Sequence, residues 1–171
     1  HAINEAMIRC LPVLQREAPG IHILHQTGER DYNDALAAYQ SLGDSAEVFK
    51  FIEDMPAAFA RADLVVCRSG ASTVAEIAAA GKAAVFVPFP RAADDHQRVN
   101  AEALARHGAA VVVEESKLEG VWLAETIAAL LQDPHRLQQM SHAAKELSHP
   151  NAARDIAAMA ARVAGIETLG D

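Results

Sequence analysis

The chain has 171 residues and a formal net charge of −8, with 51% hydrophobic and 5% aromatic residues. This length is enough for one domain with a substantial apolar core. The acidic balance argues against a nucleic-acid partner and against a polybasic membrane-binding face. Two cysteines are too few for a disulfide scaffold. No apolar run approaches the ~20 residues that a membrane-spanning helix needs.

The apolar residues alternate between strand and helix periods along the chain. Short β-branched runs, bounded by Gly, Pro or polar residues, predict strands at 21–25, 46–51, 64–67, 83–87 and 109–113. Apolar residues at helical spacing, between cap and stop residues, predict helices at 1–17, 31–42, 54–61, 72–80, 94–107, 120–131, 134–147 and 151–164. We therefore expect one domain over residues 1–164 and a tail at 165–171.

Strands that alternate with helices indicate an α/β fold, a Rossmann-like doubly wound parallel sheet with helices on both faces. Ligands bind such sheets at the carboxyl ends of the strands. This rule brings four loops to one rim, at 26–30, 51–55, 68–72 and 89–97. The sequence begins on a helix, whereas this fold usually begins on a strand and a Gly-rich turn, so we expect such a strand upstream of His1.

The stretch at residues 62–76 is the strongest candidate for a ligand site. An apolar strand leads into a turn of small residues, and Ser72 or Thr73 can then cap a helix that Gly81 ends. Free backbone N–H groups and the positive end of the helix dipole converge at such a helix start. The stretch therefore predicts an anion site, where the small residues would let a phosphate approach the backbone.

Two charged side chains flank this predicted helix start. Arg68 would add a fixed positive charge with a fork of hydrogen-bond donors. Glu76 lies one helical turn further along, where its carboxylate could accept hydrogen bonds from a ribose diol. In a simpler interpretation, Thr73 and Glu76 form a capping box that only closes the helix start. The stretch alone leaves both interpretations open.

A second polar run, Asp94-Asp95-His96, precedes the next predicted helix. Three consecutive side chains at a helix start point in different directions, which disfavours a metal site. Helix capping by Asp94 or Asp95 is the better explanation. We therefore predict neither a metal ion nor another cofactor.

Several of these motifs occur together in one known family. The chain follows its pattern in order and spacing at Phe51-Ile-Glu-Asp-Met55, Cys67-Arg-Ser-Gly-Ala71 with Thr73 and Glu76, Pro88-Phe-Pro, and Asp95-His-Gln-Arg-Val-Asn-Ala101. On these motifs the chain resembles the C-terminal, donor-binding half of the MurG family, glycosyltransferases that convert lipid I to lipid II in bacterial peptidoglycan synthesis. The resemblance covers nearly all of the chain and implies the C-terminal domain of a two-domain GT-B fold.

The resemblance implies a site for UDP-N-acetylglucosamine and inverting transfer of its sugar to lipid I. The uracil would contact Phe51, the Ile52 backbone and Met55, and Glu76 would bind the ribose hydroxyls. The diphosphate would lie on the backbone of Ala71, Ser72 and Thr73, beside Val74 and near Arg68. Gln97 and Asn100 would read the sugar hydroxyls, with His96 as their neighbour.

The resemblance also implies an N-terminal domain that is outside this sequence. That domain would carry the catalytic base, the lipid I site and a surface that docks peripherally on the cytoplasmic face of the bacterial inner membrane. We therefore expect no catalytic residue in this segment, which should bind the donor without turnover.

Three other functions fit parts of the pattern. The chain could be the donor half of another GT-B transferase that uses a UDP-sugar, although such chains usually have histidine where Arg68 stands. It could also be a non-catalytic sugar-nucleotide-binding module, or a generic dinucleotide-binding domain. Preference for the N-acetyl sugar, for UDP-glucose or for NAD separates these functions.

Overall fold

The computed structural model describes residues 1–92, 95–118 and 121–165. Within these ranges the strands are β1 (Ile23–Gln26), β2 (Ala46–Phe49), β3 (Leu64–Cys67), β4 (Ala83–Phe86) and β5 (Ala110–Val112). The helices are α1 (Ala2–Glu17), α2 (Tyr32–Tyr39), α3 (Met55–Arg61), α4 (Ala71–Ala80), α5 (His96–Ala105), α6 (Trp122–Leu131), α7 (Pro134–Glu146) and α8 (Ala152–Val163). Short 3-10 segments lie at Gln40–Ser45 and Glu115–Lys117. The α/β class and the alternation of elements are as predicted.

The strands form two sheets in which every pairing is parallel. One sheet contains β1 and β2, and the other has the order β3-β4-β5. We expected one sheet, but in the described part of the chain it is divided between β1 and β3, because a groove separates these two strands. The carboxyl ends of both sheets still carry the predicted loops.

The strand β4 is buried along its whole length and alternates its side chains between two apolar cores. Val85 and Val87 pack on one side with Leu14 of α1 and Leu123 of α6. Phe86 packs on the other side, in a core to which α4, α5 and α7 contribute. Helices therefore cover both faces of this sheet, as the doubly wound arrangement predicts.

The elements differ from the predictions mainly at their ends. The second helix ends at Tyr39, and a 3-10 segment replaces its predicted last turn. The predicted starts of the helices at 94 and 120 fall on residues outside the described ranges, as does most of the tail. Among the described helices, none has both the length and the apolar content to cross a bilayer.

Candidate functional site

A groove of about 960 Å³ lies between the two sheets. At the carboxyl ends of β1, β2 and β3 its lining includes Gln26, Ile52, Met55, Arg68, Thr73 and Glu76. The structure thus brings three of the four predicted loops to one rim. The other predicted site residues do not line this groove: Phe51, Ala71, Ser72, Val74, His96, Gln97 and Asn100.

The loop after β2 presents an aromatic ring to solvent at this rim. Phe51 is 70% exposed, more than any other Phe, Tyr or Trp among the described residues. The next residue, Ile52, donates its N–H to Oε1 of Gln26 at 2.8 Å. At the start of α3, Asp54 accepts a hydrogen bond from the Ala57 N–H at 2.9 Å. These two bonds fix the loop on both sides of the exposed ring.

The helix α4 begins without a side-chain cap. Gly70 is its N-cap residue, and the first hydrogen bond of the helix runs from the Val74 N–H to the Gly70 carbonyl at 3.0 Å. The N–H groups of residues 71–73 therefore point out of the helix start. The predicted caps Ser72 and Thr73, and the capping box with Glu76, are wrong because the helix starts earlier and includes all three residues.

Neither the backbone nor the packing requires glycine at position 70. Its φ of −61° and ψ of 153° are open to other residues. An added Cβ would meet only the Thr73 Oγ1 at 3.9 Å, an ordinary contact. The space beside the uncapped helix start is therefore open to a ligand.

The guanidinium of Arg68 is already paired in this structure. It donates to the carbonyls of Val87 and Pro88, both at 3.1 Å, and to the carboxylate of Glu115. The guanidinium therefore lies at the carboxyl ends of β4 and β5. Arg68 also contributes to the lining of the groove. No role was predicted for Glu115, and only its position shortly after the last strand of the sheet, which ends at Val112, could have indicated one.

The predicted sugar-reading residues are joined to the start of α4 through Ser69, which is fully buried. Its hydroxyl donates to the Gln97 carbonyl at 2.8 Å, and its own carbonyl accepts a hydrogen bond from the Asn100 amide at 3.2 Å. The Phe89 N–H donates to Oε1 of Gln97 at 3.0 Å. Sequence reasoning missed Ser69 because it looked like a turn residue only.

His96 is exposed and is the first residue of α5. The residue before it, Asp95, is the N-cap residue, but its side chain pairs with Arg98 and makes no cap hydrogen bond. The alternative cap, Asp94, lies outside the described residues. Among those described, no group of three or more His, Cys, Asp or Glu side chains could hold a metal ion.

A buried polar cluster supports the loop after β1. This cluster, the His25 cluster, consists of Asn4, His25, Asp31 and Tyr39. The Asn4 amide donates to the Thr27 carbonyl and to Asp31, both at 2.8 Å, and the Asn4 Oδ1 lies 3.1 Å from Nε2 of His25. Nδ1 of His25 lies 2.8 Å from the Tyr39 hydroxyl. Burial lowers the pKa of His25 to about 4, so the ring is neutral at pH 7.

Comparison with known proteins agrees with these motifs and with the fold. Residues 1–156 match the glycosyltransferase family 28 C-terminal domain. A Geobacter sulfurreducens protein, named UDP-N-acetylglucosamine–N-acetylmuramyl-(pentapeptide) pyrophosphoryl-undecaprenol N-acetylglucosamine transferase, is 47% identical over 156 residues, which are 91% of this chain and 43% of that protein. The protein of the same name from Anaeromyxobacter sp. is 46% identical over 163 residues, which are 95% of this chain and 43% of that protein.

A solved structure shows the same fold. The crystal structure of Acinetobacter baumannii MurG matches with a TM-score of 0.80 and 35% identity, over 92% of this chain and 47% of that chain. The chain therefore spans less than half the length of these relatives. It has the Rossmann-like fold of the C-terminal domain of a GT-B glycosyltransferase, and it belongs to glycosyltransferase family 28.

Proposed function

We infer that this domain binds UDP-N-acetylglucosamine, as the donor half of an enzyme that transfers N-acetylglucosamine with inversion to lipid I. The observation that carries this proposal is the rim of the groove, where the uncapped start of α4, Glu76 and the loop after β2 lie together. The name of the relatives, an N-acetylglucosamine transferase acting on a pyrophosphoryl-undecaprenol compound, supports it.

The nucleoside occupies the β2 side of the groove in this proposal. The exposed Phe51 ring covers one face of the uracil, and Met55 adds an apolar wall. The Ile52 backbone hydrogen-bonds to the edge of the base. In this structure the Ile52 N–H donates to Gln26 instead. Glu76 is exposed one turn into α4, so its carboxylate can accept both hydroxyls of the ribose.

The diphosphate lies at the start of α4. The N–H groups of residues 71–73 and the helix dipole are fixed before the ligand arrives, and the open space beside Gly70 admits the phosphate oxygens. When the sugar leaves, UDP gains negative charge, and these donors stabilise the charge as it develops. A donor of this kind typically contributes about 3 kcal/mol to transition-state stabilisation.

The sugar contacts the loop after β4 and the start of α5. A backbone N–H can only donate a hydrogen bond, so the Phe89 N–H must face the side-chain oxygen of Gln97. This bond orients the Gln97 amide with its oxygen toward the loop after β4. Its NH₂ group is therefore turned outward, as a donor to a sugar hydroxyl. Asn100 and His96 complete this side of the site.

The remaining parts of the reaction belong to an N-terminal domain of the complete protein in this proposal. That domain supplies lipid I binding, the catalytic base and the contact with the cytoplasmic face of the inner membrane, where the enzyme is peripheral. The length of the relatives, more than twice that of the matched segment, supports this division.

We also propose that a strand upstream of residue 1 pairs between β1 and β3. Both edges line the groove, at residues 21–28 and 62–68. Along β3 the apolar side chains of Leu64–Cys67 are only half-buried, which is unusual for a strand inside a doubly wound sheet. Amide exchange on the complete gene product checks the proposal, since the amides of β1 and β3 should both be protected there.

Calorimetric titration of the complete gene product tests the donor assignment. UDP-N-acetylglucosamine should bind more tightly than UDP-glucose, and NAD should not bind. Glu76→Ala should weaken UDP-N-acetylglucosamine at least about tenfold, the usual scale for a charged hydrogen bond. Glu125→Ala, at an exposed position on α6, is the matched control and should change nothing.

Each alternative has its own result in this experiment. Preference for UDP-glucose would assign the domain to another UDP-sugar transferase, and preference for NAD would contradict the proposal. Binding of UDP-N-acetylglucosamine in the titration, without transfer to lipid I in a separate activity assay, would leave a sugar-nucleotide-binding module.

A further inference from the structure

One side chain connects the carboxyl ends of all three strands of the larger sheet. Arg68 follows β3, its two carbonyl partners at 87 and 88 follow β4, and Glu115 follows β5. Arg68 and Glu115 are each about three-quarters buried, with side-chain exposures of 28% and 27%. The guanidinium carbon also lies 5.4 Å from the centre of the Phe89 ring. Arg68 is thus held on several sides by the sheet itself.

The loop that Arg68 binds also orients Gln97, the side chain that we assign to the sugar. We define the sugar-side loop as residues 87–92. Its carbonyls at 87 and 88 bind the guanidinium, and the next N–H, from Phe89, binds the amide oxygen of Gln97 at 3.0 Å. A shift of the sugar-side loop would therefore release or rotate the Gln97 amide.

The ion pair with Glu115 makes Arg68 a poor candidate for a phosphate ligand. A guanidinium that is hydrogen-bonded to a carboxylate is largely neutralised, and breaking a partly buried pair of this kind leaves an uncompensated charge behind. The N–H groups at the start of α4 have no such competing partner among the helix's own bonds, which begin at Val74. The diphosphate can thus be bound without Arg68.

We propose that Arg68 and Glu115 are a positioning pair that sets the sugar-side loop, and through Gln97 the discrimination between a UDP-sugar and UDP alone. This inference rests on the proposed function, since it assumes that Gln97 faces the sugar. In it, neither residue of the pair touches the substrate. Glu115 fixes the orientation of the guanidinium, and the guanidinium fixes the carbonyls.

Two conservative variants of the complete gene product test the pair. Arg68→Lys keeps the charge but loses the fork that reaches several acceptors at once. Glu115→Gln keeps the shape and an acceptor oxygen but loses the charge. Glu47→Gln is the matched control, because Glu47 also pairs with an arginine, Arg61, but on the smaller sheet and away from the sugar-side loop.

The dissociation constants for UDP and for UDP-N-acetylglucosamine are the first readout. Arg68→Lys should weaken UDP-N-acetylglucosamine about tenfold and UDP less than about threefold, which corresponds to the loss of the hydrogen bond from the Gln97 amide to the sugar. Glu115→Gln should change the same ratio in the same direction by a smaller factor, and the control should not change it. An equal weakening of both ligands would make Arg68 a phosphate ligand and overturn the proposal, as would two unchanged constants.

Amide exchange in the ligand-free protein is the second readout. The Phe89 amide should exchange faster in Arg68→Lys, whereas the Thr27 amide, bonded to the Phe49 carbonyl in the other sheet, should not change. Unchanged exchange at Phe89 would overturn the proposal even if the ligands bind. If the wild-type protein binds neither UDP nor UDP-N-acetylglucosamine, the proposed function is contradicted, and so is the role of the pair in ligand discrimination. The exchange rate of the Phe89 amide would then test only whether the pair positions the sugar-side loop.

Discussion

The two sheets of this domain are stabilised in different ways. In the three-stranded sheet, β4 lies fully buried between two apolar cores. In the two-stranded sheet, β1 packs on a small apolar cluster of Leu11, Ile23 and Tyr39, and the polar His25 cluster supports its carboxyl end. The sugar and phosphate loops rest on the first sheet, whereas the loop after β2 that carries Phe51 rests on the second.

This difference has a physical consequence for the proposed site. Apolar packing does not titrate, so the two apolar cores around β4 should tolerate a change of pH. A neutral histidine in a buried cluster does titrate, so the sheet under the nucleoside should lose stability in acid. The two halves of one ligand site can therefore be perturbed separately.

The pH dependence of unfolding provides the largest expected effect. Because His25 has a pKa of about 4 when folded and 6.5 as its ordinary value, the unfolded chain takes up the proton first. Its contribution to stability is thus complete above pH ~6.5 and is lost as the pH falls toward 4, by about 3 kcal/mol at 1.36 kcal/mol per pKa unit. Urea unfolding at pH 7 and pH 4 measures this loss.

Two histidine variants test whether His25 causes this pH dependence. His25→Gln should remove about 3 kcal/mol of the pH dependence, in addition to lowering the stability at pH 7. His22→Gln, at an exposed position three residues away, should keep the full dependence of the wild type. Equal pH dependence in the wild type and in His25→Gln would show that the cluster does not titrate in this way.

Matched valine substitutions compare the packing of the two sheets directly. Val85 on β4 is fully buried, whereas Val48 on β2 is half-buried. Deleting two methyl groups at Val85 should cost about 2.5 kcal/mol, as lost transfer energy and a residual cavity, and about half as much at Val48. Denaturant unfolding of Val85→Ala and Val48→Ala gives both values, and equal costs would mean that the two sheets are packed equally well.

Substitution of Gly70 should weaken ligand binding while changing the stability of the fold only slightly. Since an added Cβ meets no close neighbour, Gly70→Ala should cost less than about 1 kcal/mol of stability, as a poorer N-cap residue. It should still weaken UDP binding about tenfold, because the methyl group occupies the space that we assign to the phosphate. Calorimetry and thermal unfolding on the same sample measure both effects.

A second glycine serves as the control for this test. Gly108 has a φ of +75°, which a side chain adopts only with strain. Gly108→Ala should therefore cost about 1 kcal/mol or more of stability and leave UDP binding unchanged. Normal binding by Gly70→Ala would place the phosphate elsewhere.

The sequence predicted local elements well because their signals are local. The apolar run Leu64–Cys67 between polar residues predicted both ends of β3, and Gly81 ends α4 as expected. The chain order of strands and helices also predicted three of the four loops that meet at the groove, since parallel strands bring their carboxyl ends to one edge.

The features that sequence analysis missed depend on contacts between distant residues. Gln26 binds Ile52 across 26 residues, and Arg68 binds Glu115 across 47. No local pattern distinguishes Gln26 or Glu115, the partners in these contacts, from ordinary polar residues. The start of α4 was also placed too late, because its N-cap is Gly70 and a glycine carries no side-chain signal.

The starts of α3 and α4 give the smallest effect and a direct test of that correction. Asp54 caps α3 through its bond to the Ala57 N–H, so Asp54→Ala should cost about 1 kcal/mol. Ser72 was predicted as a cap but lies inside α4, where alanine is the better helix former, so Ser72→Ala should be neutral or should stabilise by a few tenths of a kcal/mol, roughly. Thermal unfolding separates the two. A loss at Ser72 as large as that at Asp54 would mean that α4 is capped after all, and the free N–H groups on which the phosphate site depends would then be partly occupied.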